Sequence, residues 1–119
     1  MREELKRRTK RIGVEIILLL DDLPNKPSAW ELVRQITRSS TSVGANYRAV
    51  CRAKSDADFI NKLKIVEEET DETIYWLEIL EETGLIKAER IENIKKEAEE
   101  ILAIVVASLK TMRAKNRKS

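Results

Sequence analysis

Apolar residues recur along this chain at helical intervals. Leu5, Ile12, Ile16, Leu19, Leu20 and Leu23 fall on one face of a helix over residues 3–23. Pro24-Asn25-Lys26-Pro27 then ends it, because proline cannot continue the amide ladder. A second helix, residues 28–53, is predicted to open on Ser28, with Ser28 and Glu31 forming a Ser-x-x-Glu capping box. Its stripe is Leu32 or Val33, Ile36, Val43, Tyr47 and Val50. The Ser39-Ser40-Thr41-Ser42 run has poor helix propensity. Ile36 and Val43 stay in phase across it, so the helix is read as continuous. A third helix, residues 56–83, follows a second capping box, Ser55 with Asp58. Phe59, Leu63, Val66, Thr70, Thr73, Leu77 and Leu80 alternate spacings of four and three, a heptad seam. Gly84 stands where a glycine closes a helix. The fourth helix, residues 87–112, carries Ile91, Ile94, Ala98, Ile101, Val105, Leu109 (or Ser108) and Met112. Residues 113–119 lack apolar periodicity and read as a frayed basic tail. Short connections make neighbouring helices antiparallel. The pattern therefore predicts a single all-α domain over residues 1–119, an up-down-up-down antiparallel four-helix bundle.

Two helices are more apolar than one core requires. The first has Val14, Ile16, Ile17, Leu18, Leu19 and Leu20 in succession; the fourth has Ile101, Leu102, Ala103, Ile104, Val105, Val106 and Ala107. A bundle helix needs only three or four apolar positions in two turns. The surplus predicts a second buried face, and hence self-association through helices 1 and 4.

Composition supports this frame. The 119 residues are 42% hydrophobic and 37% charged but only 4% aromatic, a balance that favours amphipathic helices over a sheet. The single cysteine, Cys51, permits no internal disulfide and fits a reducing cytoplasm; it is read as a small core or interface residue. The charged start, through Arg11, predicts no signal peptide, and the apolar run from Val14 to Leu20 is too short to span a membrane.

Net charge is only +2, yet it is sharply partitioned. Residues 55–84 carry ten carboxylates against two lysines, net −8, while residues 28–54 carry five basic groups against one glutamate, net +4. An antiparallel turn near Lys54 places Arg38 beside Asp71 and Glu72, and Arg48 and Arg52 near Asp58. Two basic groups remain less balanced: Arg2, Lys6, Arg7, Arg8, Lys10 and Arg11 at one end, and Lys110, Arg113, Lys115, Arg117 and Lys118 at the other. In an up-down-up-down bundle both reach one pole, where they read first as a solvated, mobile pair of termini and alternatively as a candidate phosphate-binding patch. No aromatic is interleaved with them, so base stacking is not supported.

Catalytic chemistry finds few carriers. No histidine is present, which removes the usual general base, the histidine-activated nucleophiles and histidine-containing metal sites. No phosphate-binding glycine loop occurs. The run Glu67-Glu68-Glu69-Thr70-Asp71-Glu72 splays around a helix and reads as a solvated or arginine-paired surface. Tyr75 and Trp76 read as edge-of-core packing or as part of a subunit interface. No cofactor and no small-molecule substrate are expected.

The stretch Arg38-Ser39-Ser40-Thr41-Ser42-Val43-Gly44-Ala45-Asn46-Tyr47-Arg48, followed by Cys51-Arg52-Ala53-Lys54-Ser55, resembles the four-helix bundle family also called the 23S rRNA intervening-sequence protein or S23 ribosomal protein family. Asp58-Phe59-Ile60, Lys62-Leu63, Glu67-Glu68-Glu69 and Glu72-Thr73-Ile74-Tyr75-Trp76-Leu77 continue the resemblance. It implies a non-enzymatic four-helix bundle that forms homopentameric rings. A distantly related branch, the accessory variability determinant proteins, accompanies the reverse transcriptase of diversity-generating retroelements and is associated there with nucleic acid. Ala49 stands where many relatives have glutamate. Ser39, Ser42, Gly44 and Ala45 are small enough for close helix packing, and Asn46 is expected to bond across the bundle near Leu63 and Lys64. The combined expectation is a cytoplasmic bundle that associates with itself and binds RNA or DNA through its basic pole. The alternative is a protein-binding accessory subunit.

Overall fold

A computed structural model describes residues 2–118. It contains four helices: α1 (Arg2–Leu20), α2 (Pro27–Val50), α3 (Asp56–Glu82) and α4 (Ala88–Lys118). They form a rod of 53 × 22 × 20 Å. Helix α1 packs on α2, α2 on α3 and α3 on α4, and α4 closes the ring against α1 through the thinnest of the four seams. Neither α1 with α3 nor α2 with α4 is in contact, so each of these pairs occupies opposite corners.

Cross-helix pairs fix the directions. Gly13 lies against Ser40 and Thr41, while Gly44 lies against Thr9 and Lys10. Arg8 reaches Glu97 and Glu100, whereas Asp22 pairs with Arg90. Glu81 pairs with Lys95, and Asp56 with Lys115. In each case numbers fall on one helix as they rise on the other, the pattern of an up-down-up-down bundle.

The core is the one the periodicity outlines. Ile12 and Ile16, Ile36 and Val43, Leu63 to Leu80, and Ile91 to Leu109 supply fully buried side chains from all four helices. Burial of each large aliphatic side chain contributes about 1.5–3 kcal/mol. The polar residues within the core are satisfied locally. The Thr9, Thr70 and Thr73 hydroxyls donate to carbonyls one turn back, at 2.6, 2.7 and 2.8 Å. Thr73 also meets Ser39 Oγ at 3.0 Å, joining α3 to α2. The Ser39–Ser42 run stays helical because packing of Ile36, Ser39, Ser40 and Val43 holds it, and every hydroxyl in it is satisfied by a carbonyl of its own helix.

The helix ends correct the sequence reading in three places. First, α1 stops at Leu20, and residues 21–23 form a turn with Leu23 still packed on the core. Second, α2 starts at Pro27 with Lys26 as N-cap and no side-chain cap, so the predicted box of Ser28 and Glu31 does not form. Proline fits the first helical position, where its missing amide proton is not needed, and this moves the start ahead of Ser28. Glu31 instead accepts from Arg34 at 2.8 Å and Gln35 at 2.9 Å. Third, α4 continues helically through residues 113–118, which were expected to fray. Alanine, lysine and arginine there are good helix formers, and Lys115 lies 3.9 Å from Asp56. At α3 the predicted cap forms in part: Ser55 Oγ accepts from the Asp58 amide at 3.0 Å, while Asp58 accepts from the Lys54 amide at 3.0 Å, one residue before the amide a full box would use. Gly84 closes α3 at φ 70°, where other residues are strained.

The tightest approach is at Gly44. A Cβ there would lie 2.9 Å from Lys10 Cα and 3.1 Å from the Thr9 carbonyl carbon, both backbone atoms that cannot rotate away. Gly44→Ala is therefore expected to cost about 1–2 kcal/mol, the overpacking penalty less the helix propensity gained. At Gly13 a Cβ would stand at an ordinary 3.4 Å, so Gly13→Ala is expected to be neutral or slightly stabilising. Urea unfolding midpoints of the two variants check the contrast.

Candidate interaction surfaces

The eleven basic residues assigned to one pole do not gather as one patch. Helix α1 begins about 9 Å before Arg8, while α4 runs some 27 Å past Glu100, at 1.5 Å per residue. Helix α4 therefore overshoots α1, and its end lies instead beside the start of α3. Local pairing removes further cations. Arg8 donates to Glu97 at 2.7 and 2.8 Å and to Glu100 at 2.8 Å. Lys6 lies 3.6 Å from Glu3, and Arg11 pairs with Glu15 at 3.1 Å. The hydrogen bond to Glu97 chiefly holds the Arg8 guanidinium charged above its ordinary range, and the same bond holds Glu97 below the usual carboxylate range. Arg8 thus clasps the thin α1–α4 seam.

What remains falls into two groups. On the flank where α1 meets α2, Arg7, Lys10 and Arg48 line adjoining hollows and have no carboxylate partner among the described residues. At the pole, Arg2 lies beside Lys54 of the α2–α3 connection and Asp56 at the start of α3. Arg52, Lys110, Arg113 and Arg117 are exposed there, with Lys115 against Asp56. The side chain of Lys118 lies outside the described residues. Arg52 and Lys54 were missed as pole members: the up-down-up-down order already brings their connection to this pole, but Arg52 was expected to pair with Asp58, which bonds Lys62 and the Lys54 amide instead.

Most of the resemblance motif is engaged within the bundle, whereas Arg48 is exposed on the flank. Ser39 and Gly44 are buried in helix contacts. Ser42 accepts no cross-helix bond: its hydroxyl donates to the Arg38 carbonyl at 2.7 Å. Asn46, expected to bond across the bundle, donates to the Ser42 carbonyl of its own helix at 2.8 Å. Its amide reaches one turn back before it can reach α3. Arg38 bonds Glu69 at 2.9 Å and also Glu72, so Glu69 takes the place expected for Asp71. Glu72 also accepts from Trp76 Nε1 at 3.0 Å, and this bond, with Arg38, keeps its carboxyl below the usual range. The Tyr47 hydroxyl is pushed up to about 12, chiefly by burial. Cys51 is half-buried at the end of α2.

The apolar surplus resolves unequally. On α4, Leu102 and Ile104 pack against the core, and Val106 is half-buried. On α1, Val14, Ile17 and Leu18 are 38%, 44% and 58% exposed. Val14 and Ile17 form one wall of an open groove of about 260 Å³, with Gly44, Ala45 and Arg48 opposite. On α3, Ile65 and Tyr75 are also exposed, Tyr75 standing edge-on to Trp76 at 5.0 Å. Among the described residues no helix is long and apolar enough to cross a membrane.

The chain matches the family model described as 23S rRNA-intervening sequence protein over residues 3–107. A crystal structure from Bacteroides thetaiotaomicron, described as a protein with unknown function from the S23 ribosomal protein family, is 40% identical. It superposes with a TM-score of 0.82, covering 89% of this chain and 98% of its own. No curated protein matches.

Arg8→Ala is expected to cost about 1–2 kcal/mol, because the charge-assisted bonds to Glu97 and Glu100 are lost at a partly shielded site. Arg7→Ala is expected to change stability by less than about 0.5 kcal/mol. The pH dependence has a definite sign. Glu97 is depressed in the folded state, so its contribution is present above the ordinary glutamate value of 4.5 and is lost as pH falls through the depressed value. Acidification from about pH 5 to about pH 3 should therefore destabilise the native chain more than Arg8→Ala, as read by thermal melts.

Proposed function

The chain belongs to the 23S rRNA-intervening sequence protein family, and from that membership we propose that it is a non-enzymatic bundle that assembles with copies of itself. One observation carries the reading: the exposed stripe of Val14, Ile17 and Leu18 on α1. An outward row of three large aliphatic side chains on a helix that already supplies a full inner face is a surface to be covered. The lack of histidine in the sequence supports the non-enzymatic part. A ring of five is the stoichiometry that the resemblance implies, and the cytoplasm is the compartment that the lone cysteine suits.

A second property rests on a separate observation. Arg2, Arg52, Lys54, Lys110, Arg113 and Arg117 have no carboxylate partner among the described residues and lie toward one pole. We infer that this pole contacts nucleic-acid phosphate. Assembly would repeat it once per copy and so enlarge a modest charge into an extended one. A protein-binding accessory role without nucleic acid remains the competing reading.

Light scattering coupled to size exclusion tests assembly: a mass several times the 13.7 kDa of one chain is expected at micromolar concentration, and a monomer would refute it. For the pole, binding to single- and double-stranded RNA should weaken steeply with rising salt, as counterion release requires. Replacing Arg113 and Arg117 with alanine should weaken it and flatten the salt slope. Absence of binding at low salt would leave the accessory reading in place.

A further inference from the structure

Helix α1 presents Arg7, Lys10, Val14, Ile17 and Leu18 along one outward stripe, at the three- and four-residue spacing of a helix face. Helix α3 presents a second outward stripe at the same spacing: Lys64, held by Glu67 at 3.0 Å, then Glu68, Asp71 and Tyr75, with Ile65 beside it. The two are complementary in charge. Arg7 and Lys10 lack carboxylate partners, while Glu68 and Asp71 lack cationic ones, among the described residues. Each stripe also carries large exposed apolar groups, Ile17 at 44% and Tyr75 at 52%. They cannot satisfy one another within one chain, since α1 and α3 occupy opposite corners of the bundle.

Their heights match as well. Gly13 lies against Ser40 and Thr41, and Ser39 meets Thr73. Because α2 runs against both α1 and α3, Gly13 stands level with Asp71 and Glu72. Counting along the two helices, Lys10 is level with Glu68 and Ile17 with Tyr75. Both α1 and α3 run in the same direction, so a copy turned about an axis parallel to the rod, without sliding along it, sets Lys10 against Glu68 and Ile17 against Tyr75.

Resting on the self-assembly reading above, we infer that the α1 stripe of one copy docks in parallel on the α3 stripe of the next. The contact is head-to-tail: two different surfaces meet, and each copy keeps one of each to offer. Such a contact builds a ring where the rotation closes. The acidic load of α3 is then the docking surface for the basic start of the chain, and the pole cations stay outside it.

The test uses two variants, Ile17→Asp and Tyr75→Asp, each at an exposed position and each checked for helicity by circular dichroism. Each alone should lose assembly and run as a monomer. Mixed in equal amounts, they should give a species of twice the monomer mass and nothing larger, because one intact α1 stripe meets one intact α3 stripe. If Tyr75→Asp alone still assembles, the α3 surface is wrong, and an α1-to-α1 contact between copies becomes the better account. If the native chain is itself a monomer, the self-assembly reading fails with it. A second pair guards against misfolding: Lys10→Glu and Glu68→Lys should each weaken assembly at least tenfold, and the double variant should restore it. Failure of that restoration, with both single variants folded, overturns the register.

Discussion

The contact between Gly44 and the backbone of Thr9 and Lys10 sets the geometry on which the surfaces depend. With no side chain on α2 at that point, α1 approaches until main-chain atoms nearly touch. That approach fixes both the rotation and the height of α1. Ile12 and Ile16 turn inward to the core, so Val14, Ile17 and Leu18 must turn outward. Lys10 is carried to the flank beside Arg48 rather than to the pole. A larger residue at Gly44 would push α1 away and change what the rod displays. The small residues around it (Gly13, Ser40, Thr41, Ala45) keep the same seam shallow.

Charge is arranged around that frame in two ways. Some ions hold helices together: Arg38 ties α2 to α3 through Glu69 and Glu72, Arg8 ties α1 to α4 through Glu97 and Glu100, and Lys95 ties α4 to α3 through Glu81. The α1–α4 seam has the least packing, and there the arginine clasp matters most. Other ions face outward without partners. Their separation, basic on α1 and acidic on α3, gives the rod two unlike flanks. Single exposed pairs contribute little, but a row of like charges facing a row of opposite charges selects partner and register. The apolar groups beside each row supply the larger share of any contact energy.

Much of this was legible in the sequence, for identifiable reasons. The heptad seam of α3 and the stripe of α4 named buried residues because periodicity reports directly which face is inside. The Ser55 and Asp58 cap could be read because its partners are three residues apart. The Ser28 and Glu31 pair had the same spacing but failed, since Pro27 fixed an earlier start. The basic pole was drawn too wide, because local pairing and helix rotation, not composition, decide which cations reach it: Lys6, Arg8 and Arg11 turn to carboxylates, and Arg7 and Lys10 lie on the flank. Helix α4 runs past the start of α1, and Arg8 found Glu97 and Glu100, about ninety residues away in the chain. Likewise the apolar surplus was visible as a run of letters on both α1 and α4, but only packing could show that Leu102 and Ile104 are absorbed and Ile17 and Leu18 are not.

The central claim is that the outer stripe of α1 is a covered surface in the working protein. Hydroxyl-radical labelling of the native chain, read by mass spectrometry across a dilution series, tests it directly. Ile17, Leu18 and Tyr75 should lose reactivity together as concentration rises, while Trp30, 57% exposed on a different part of the rod, should not change. Undiminished labelling of Ile17 and Leu18 at every concentration would contradict the account.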